Sequence, residues 1–213
     1  MKPVIKQIDR ALKDLYLLST PFNAEDFLLA RPIQSPSIIA NAHLRGALYV
    51  RPDSEELSLG IYLSPKISKE LKRFFRWQKR DWTHSQLEAF TVATEEVTHF
   101  QYLLSRAQRK CSVTQFELEL QAEVDKFVLS FFAGEVQSID RFSSLLERLF
   151  IKFRLSDTLS PEERDRYLEA NRISFRFIKQ LETLLASPSS NASALKKLRS
   201  FYHSSVSEKI RMG

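Results

Sequence analysis

Proline and glycine are distributed so unevenly along this chain that they decide what it can fold into. Six of the eight prolines (Pro3, Pro21, Pro32, Pro36, Pro52 and Pro65) fall in the first 65 residues, and none occurs from Lys66 to Ser160. That stretch holds a single glycine, Gly134. Proline removes a backbone donor and clashes with the preceding helical turn, and an interior glycine costs a helix ~1 kcal/mol relative to alanine. The first third must therefore be made of short pieces, and the rest is free to form long helices. With 4 glycines in 213 residues, the chain also lacks the material for a glycine-rich phosphate loop. Neither G-x-G-x-x-G nor G-x-x-x-x-G-K-[ST] occurs.

Periodicity fills in the elements. Ile5, Ile8, Leu12, Leu15 and Leu18 recur at helical spacing, so a helix is expected from about Pro3 to Leu18, stopped by Pro21. Asn23 can cap a short turn, and Arg31 to Arg45 reads as a loop. Ala47–Val50 and Leu57–Leu63 carry the strand signal, with Leu57, Leu59, Ile61 and Leu63 alternating with Ser58, Gly60 and Tyr62. Such a hairpin is marginal alone and must lie on helices. Ser64-Pro65, Thr83-x-x-Gln86, Thr114-x-x-Glu117 and Ser160-Pro161-Glu162-Glu163 mark helix starts. Further helices are expected over about Ile139–Arg154, Pro161–Ala186 and Ala192–Tyr202. The expected fold is mainly α, of the α+β kind: a bundle of about six to seven helices with one β-hairpin near residues 47–63. One domain is expected over 1–213, with helix, loop and hairpin in 1–65 and the helical bundle in 66–213.

The charge and cysteine content narrow the function classes. Lys and Arg number 32 against 26 Asp and Glu, a net charge of +6. That surplus permits nucleic acid or an anionic surface as partner without requiring either. The single cysteine, Cys111, excludes an internal disulfide and a cysteine zinc cluster. No apolar run approaches the ~18 residues of a membrane span, and Asp9, Arg10, Lys13 and Asp14 interrupt any signal-peptide core. A soluble chain in the reducing cytoplasm, with another protein as partner, is the expectation. Serine nucleophiles find no support, because G-x-S-x-G is absent.

The chemistry-bearing pattern is Glu95-Glu96-Val97-Thr98-His99, inside the expected Thr83–Arg109 helix. Glu95 and His99 are i,i+4, and Glu96 and His99 are i,i+3, so either pair can aim a carboxylate and an imidazole at one point. Glu119 and Glu123 on the next helix can complete such a site if the two helices lie antiparallel. Oxygen plus imidazole ligation suits zinc, iron or manganese. At ~1.5 Å per residue, His99 lies ~18 Å before the connection near Cys111, Glu119 ~12 Å beyond it and Glu123 ~18 Å beyond it. Glu123 is therefore the expected partner of His99 if the residues form a site, but His99 points away from its helix's main stripe while Glu123 flanks its own, and the two are expected to miss each other. A buried hydrogen-bond network, or a solvated face, accommodates the same residues without metal. Glu119, Glu123 and Lys126 also read as a salt-bridge ladder.

Two family resemblances attach to these residues. Glu96-x-x-His99, preceded by Glu95, resembles one half of the ferritin-like di-iron signature. The positions three before His43, His84 and His203 are Ala40, Asp81 and Ser200, so the second half is absent. The same segment resembles the zincin H-E-x-x-H motif with Glu95 in place of the first histidine. That resemblance implies Glu96 as general base, His99 as ligand, and Glu119 or Glu123, 20 or 24 residues further on, as the third ligand.

A second pattern is the basic helix Lys66–Trp82. Lys66, Lys69, Lys72, Arg73, Arg76, Lys79 and Arg80 surround an apolar stripe of Ile67, Leu71, Phe74 and Phe75, with Trp77 and Trp82 adding aromatic surface. It can track phosphates, lie on anionic lipid or dock on an acidic partner. It can equally pack its stripe inward and keep its lysines in water. Two functions stay open: a non-enzymatic interaction or regulatory protein, which has the stronger claim in the absence of a complete catalytic signature, and a metal-binding enzyme or degenerate relative built on Glu95, Glu96 and His99.

Overall fold

In the computed structural model, which describes residues 1–33, 45–52, 57–73, 82–134, 137–155, 157, 159–185 and 187–213, the proline-free stretch forms the two helices that organise everything else. Helix α3 spans His84–Gln108 and α4 spans Gln115–Phe132. Each starts at a reciprocal capping box: Thr83 with Gln86, and Thr114 with Glu117. The side chain of each cap accepts from the third helical N–H, and the glutamine or glutamate answers the cap's own N–H, satisfying two donors that a helix start leaves open. Lys110, at φ 54, turns the chain back between them.

Around this pair sit α1 (Lys2–Tyr16), α2 (Pro65–Arg73), α5 (Ile139–Leu146), α6 (Pro161–Gln180), α7 (Glu182–Leu185), α8 (Asn191–His203) and α9 (Val206–Met212). The fold is 71% helical and mainly α, with a small three-stranded sheet. Helix α1 ends where Leu17 enters the left-handed region, and the Leu18 N–H returns to the Lys13 carbonyl. Val4, Ile5, Ile8 and Leu12 line its buried face. The hairpin is β2 (Gly46–Pro52) against β3 (Leu57–Leu63), paired Leu48↔Ile61 and Val50↔Leu59. Leu48, Val50, Ile61 and Leu63 face the core on α3.

The structure adds a strand that alternation did not reveal. Leu28–Leu29 forms β1, parallel to β3. A side chain at Gly60 would put its Cβ 2.6 Å from Leu29 Cδ1, so β1 closes on β3 only because that position is glycine.

Three helix expectations are corrected. The helix from Ile139 does not run on to Arg154: α5 passes into a wider π turn at Glu147–Ile151, closed by the Lys152 N–H on the Glu147 carbonyl. The extra residue keeps Phe150 in the core while Ile151 is turned to solvent. The helix from Pro161 breaks at Leu181, which lets both Leu181 and Leu185 bury completely. Helix α9, not expected, begins at a capping box of Ser205 and Glu208. The basic helix is seen as α2 to Arg73; residues 74–81, with Arg76, Trp77, Lys79 and Arg80, lie outside the described residues, as does most of the expected loop 31–45.

Phe127, fully buried, is the hub of an aromatic cluster with Phe131, Phe142 and Phe150. Replacing it with alanine leaves a cavity that rigid helices cannot close, and should cost ~3–5 kcal/mol. Urea titration should show a lower midpoint with an unchanged slope; a midpoint equal to wild type would remove Phe127 from that role.

Candidate functional site

Both central helices bury more than their apolar stripes. On α3, Leu87, Phe90, Ala93, Val97 and Phe100 are buried, but so are Glu96, Thr98, His99, Gln101 and Tyr102. On α4 the buried set includes Glu117, Glu119, Gln121, Glu123 and Asp125. The antiparallel register is visible in cross-helix contacts: Thr98 donates to Asp125 at 3.1 Å, Arg106 pairs with Glu117 at 3.5 Å, and Lys126 reaches Glu95 at 3.1 Å.

One cluster gathers the Glu-Glu-x-x-His residues. His99 Nδ1 stands 3.6 Å from Glu96 Oε2, and His99 Nε2 stands 3.8 Å from Glu119 Oε2. Both distances exceed hydrogen-bond range. Neither His99 Nε2 nor Glu96 Oε2, both buried, makes a hydrogen bond among the described residues. Glu95, His99 and Glu119 each bring one ligand atom to within 4.8 Å of the others. Ligand atoms held ~2.0–2.2 Å from one tetrahedral ion lie ~3.3–3.6 Å apart, so the three groups would have to draw together to share one.

Glu119, not Glu123, stands against His99: the ranking of Glu123 ahead of Glu119 is corrected, and no contact between Glu123 and His99 is seen among the described residues. Axially, the register is as counted, yet Glu119, one turn nearer the connection, makes the contact. Glu123 is drawn along its own helix by Lys126, whose Nζ lies 2.7 Å from Glu123 Oε1 and 3.1 Å from Glu95 Oε2. Counting rise locates a residue along a helix but not the direction of its side chain.

Burial disfavours charge throughout the cluster. It raises Glu96, Glu123 and Glu119, the last to about 7. For His99 burial acts downward, but Glu96 beside it, with the charges of Glu119 and Glu95, outweighs it and holds the imidazole at about 9. Lys126 is likewise held well above its usual value by Glu123 and Glu95 against the pull of burial. Tyr167, from α6, sits against the cluster beside Glu119.

A cleft meets the cluster at Glu95, Glu96 and Glu123, while His99 and Glu119 lie buried behind that surface. The cleft, of about 650 Å³, is lined by Glu95, Glu96, Glu123, Lys126 and Tyr167 at the cluster and by Arg148, Leu149 and Phe153 further out. Gly46, at the start of β2, lies against its floor: a Cβ there would stand 2.9 Å from Glu96 Oε1. The strand thus approaches the Glu96 carboxylate as closely as backbone allows.

The other sequence candidates fall elsewhere. On α2, Ile67 and Leu71 are buried, while Lys66, Lys69, Lys72 and Arg73 are exposed. Lys66 faces Glu88 at 3.4 Å and Arg73 faces Glu70 at 3.0 Å. Cys111 is exposed in the α3–α4 connection.

A second buried polar network, which no pattern in the sequence announced, interleaves with the first along the same helix pair. Asp125 accepts from Tyr16, from Thr98 and from Gln121. Lys209 of α9, wholly buried, donates to Gln121 Oε1 at 2.8 Å and to Tyr102 at 3.1 Å, and lies over the Tyr102 ring at 4.4 Å. Burial lowers Lys209 to about 7, and raises Asp125 to about 7 despite its three donors. An isolated lysine in a short amphipathic helix reads as solvent-facing, which is why Lys209 was not singled out.

Comparison with models of protein families, with curated proteins and with solved structures finds no match to this chain. No helix among the described residues is long and apolar enough to cross a membrane.

The raised Asp125 value has a sign. The folded state holds its proton more tightly than the unfolded chain does, so Asp125 contributes stability that is fully present below about 3.8 and is lost as pH rises through about 7. In Asp125→Asn the decline of stability between roughly pH 4 and 7 should be shallower than in wild type, though not flat, because Glu96, Glu119 and Glu123 shift the same way. Urea midpoints across that window measure it; parallel pH profiles for the two proteins would contradict this account of Asp125.

Proposed function

We propose that the chain is a metal-dependent hydrolase whose single divalent ion sits between Glu95, His99 and Glu119, behind the cleft surface that Glu95 and Glu96 line. The observation that carries this reading is His99 Nε2: buried, without a hydrogen bond among the described residues, and placed between carboxylates from two helices. A buried imidazole nitrogen left without a partner costs free energy, and an ion coordinated there recovers it. Two carboxylates and one imidazole leave coordination positions open for water and substrate, and suit zinc, manganese or iron. A bound ion would supply Lewis acidity and an activated water. Glu96, whose second oxygen lies 3.6 Å from His99 and which lines the cleft, is the base for that water. Its burial-raised pKa suits proton transfer better than that of an exposed glutamate. Tyr167 lies beside Glu119.

A second reading is favoured by Lys126. Its ammonium already answers Glu95 and Glu123, as it would in a charge-compensated core that never meets a metal. The chain would then be a non-enzymatic interaction or regulatory protein, with exposed lysines of α2 available to an anionic partner.

Metal content decides between them. Protein purified without chelator or an affinity-tag histidine should hold about one equivalent of metal, or take up one equivalent of added Zn²⁺. Binding at 100 times Kd should add ~2.7 kcal/mol of stability. His99→Ala and Glu119→Gln should abolish uptake, and Glu123→Gln should not. Absence of uptake, or uptake that survives in His99→Ala, sinks the metal reading and leaves the second.

A further inference from the structure

The outer part of the cleft has a composition of its own. Leu149, Phe153, Leu155 and Leu159, all only partly buried, are among its lining residues, in the segment that follows α5. Two guanidinium groups, Arg148 and Arg154, line the cleft from the same segment, and neither forms an ion pair among the described residues. Arg148 is fixed in place by one terminal nitrogen, which donates to the Trp82 carbonyl at 3.3 Å and the Thr83 carbonyl at 3.5 Å. Its other N–H groups have no hydrogen-bond partner among the described residues. The other cations of the cleft are already answered: Arg45 by Glu88 at 2.7 Å, Lys152 by Glu147 at 2.8 Å, and Lys126 by the glutamates of the floor. Partly exposed apolar side chains beside unanswered guanidinium groups, in a space of about 650 Å³, match a small ligand with an apolar body and one acidic end. The floor carries Glu95, Glu96 and Glu123, so a singly charged head is tolerated better than a doubly charged one.

We propose that the cleft binds an amphiphilic carboxylate of the N-acyl amino acid class. Its carboxylate meets Arg148 and Arg154, and its acyl chain lies along Leu149, Phe153, Leu155 and Leu159. Guanidinium is the group whose geometry matches carboxylate, by two parallel N–H···O bonds. Such a ligand carries an amide within a few bonds of its acid end, which faces the Glu95–Glu96 floor. That it is a substrate rests on the metal-hydrolase reading; that it binds does not.

The test is titration of the protein with N-decanoylglycine below its micelle-forming concentration, alongside its methyl ester and decyl phosphate, followed by calorimetry or intrinsic fluorescence. The acid should bind saturably, and the neutral ester at least tenfold more weakly. Arg154→Ala, at an exposed position that should not disturb folding, should weaken the acid by about tenfold and leave the ester unchanged. The double variant Arg148→Ala, Arg154→Ala should bring acid and ester to the same affinity. His99→Ala should bind the acid as wild type does, so loss of the metal would not imitate loss of this site. Equal affinity for acid and ester, tighter binding of decyl phosphate, an unaffected Arg154→Ala, or no saturable binding would each overturn the proposal.

Discussion

The constraint on which this structure depends is the placement of ionisable groups in the interface between two long helices. Glu96, His99, Glu117, Glu119, Glu123 and Asp125 all lie buried on α3 and α4. A buried ion costs several kcal/mol unless partners restore what water supplied. The surrounding elements are arranged to do that. Helix α1 sends Tyr16 to Asp125, α6 sets Tyr167 beside Glu119, and α9 sends Lys209 to Gln121 and Tyr102. Helix α9, two residues beyond α8, thus carries a lysine that is more buried than most of the described leucines. Helix α9 has no large fully buried apolar residue to hold it. Its docking is a polar event, with the lysine stem and its ring contacts supplying the apolar part.

The two polar networks differ in completeness, and that difference separates structure from candidate function. Asp125 has a donor from each of three side chains, and Lys209 has two acceptors and an aromatic face. A network so furnished rigidifies the pair and fixes its register. One and two residues from Thr98 on the same helix, His99 and Glu96 are nearly as deeply buried but stand beyond hydrogen-bond reach of the carboxylates around them. The one network is closed against solvent on all sides described, while the other opens through Glu95 and Glu96 into a cleft. Local incompleteness at an accessible point, in a framework that satisfies its polar groups elsewhere, is where function is most plausibly sought.

Much of this architecture was legible in the residues, because helix ends announce themselves. Thr83, Thr114 and Ser160 are caps in the structure as in the sequence, and the proline-free stretch is the helical pair. Leu48, Ile61 and Leu63 are buried as their alternation implies. What escaped was set by tertiary contact. Two residues at Leu28–Leu29 carry no alternation, and their pairing depends on Gly60 sixty positions into the chain. The π turn at Glu147–Ile151 answers to the packing of Phe150, which local propensity does not encode. For the candidate site, Glu95, Glu96 and His99 stood out by spacing, and Glu119 was weighed and set second to Glu123. Lys126 reverses that order by holding Glu123 along its own helix, an effect that appears only when α3 brings Glu95 alongside.

Charge balance gives the cluster its remaining logic. Four carboxylates, from Glu95, Glu96, Glu119 and Glu123, face two cations, Lys126 and protonated His99. With every group ionised, negative charge is in excess in a place where solvent cannot screen it. Without an ion the excess is relieved by protons, and the upward shifts of Glu96, Glu119 and Glu123 are the expression of that. A divalent cation offers the other route. Its ligation requires a neutral imidazole, so His99 surrenders one positive charge as the ion brings two. The cluster then comes nearer to neutrality, and Lys126 can keep Glu123 while Glu95 turns toward the ion. On the metal reading Lys126 would not replace the ion but would hold the surplus carboxylate of Glu123 away from the ligand triangle, leaving two carboxylates and one imidazole for the ion and Glu96 beside it.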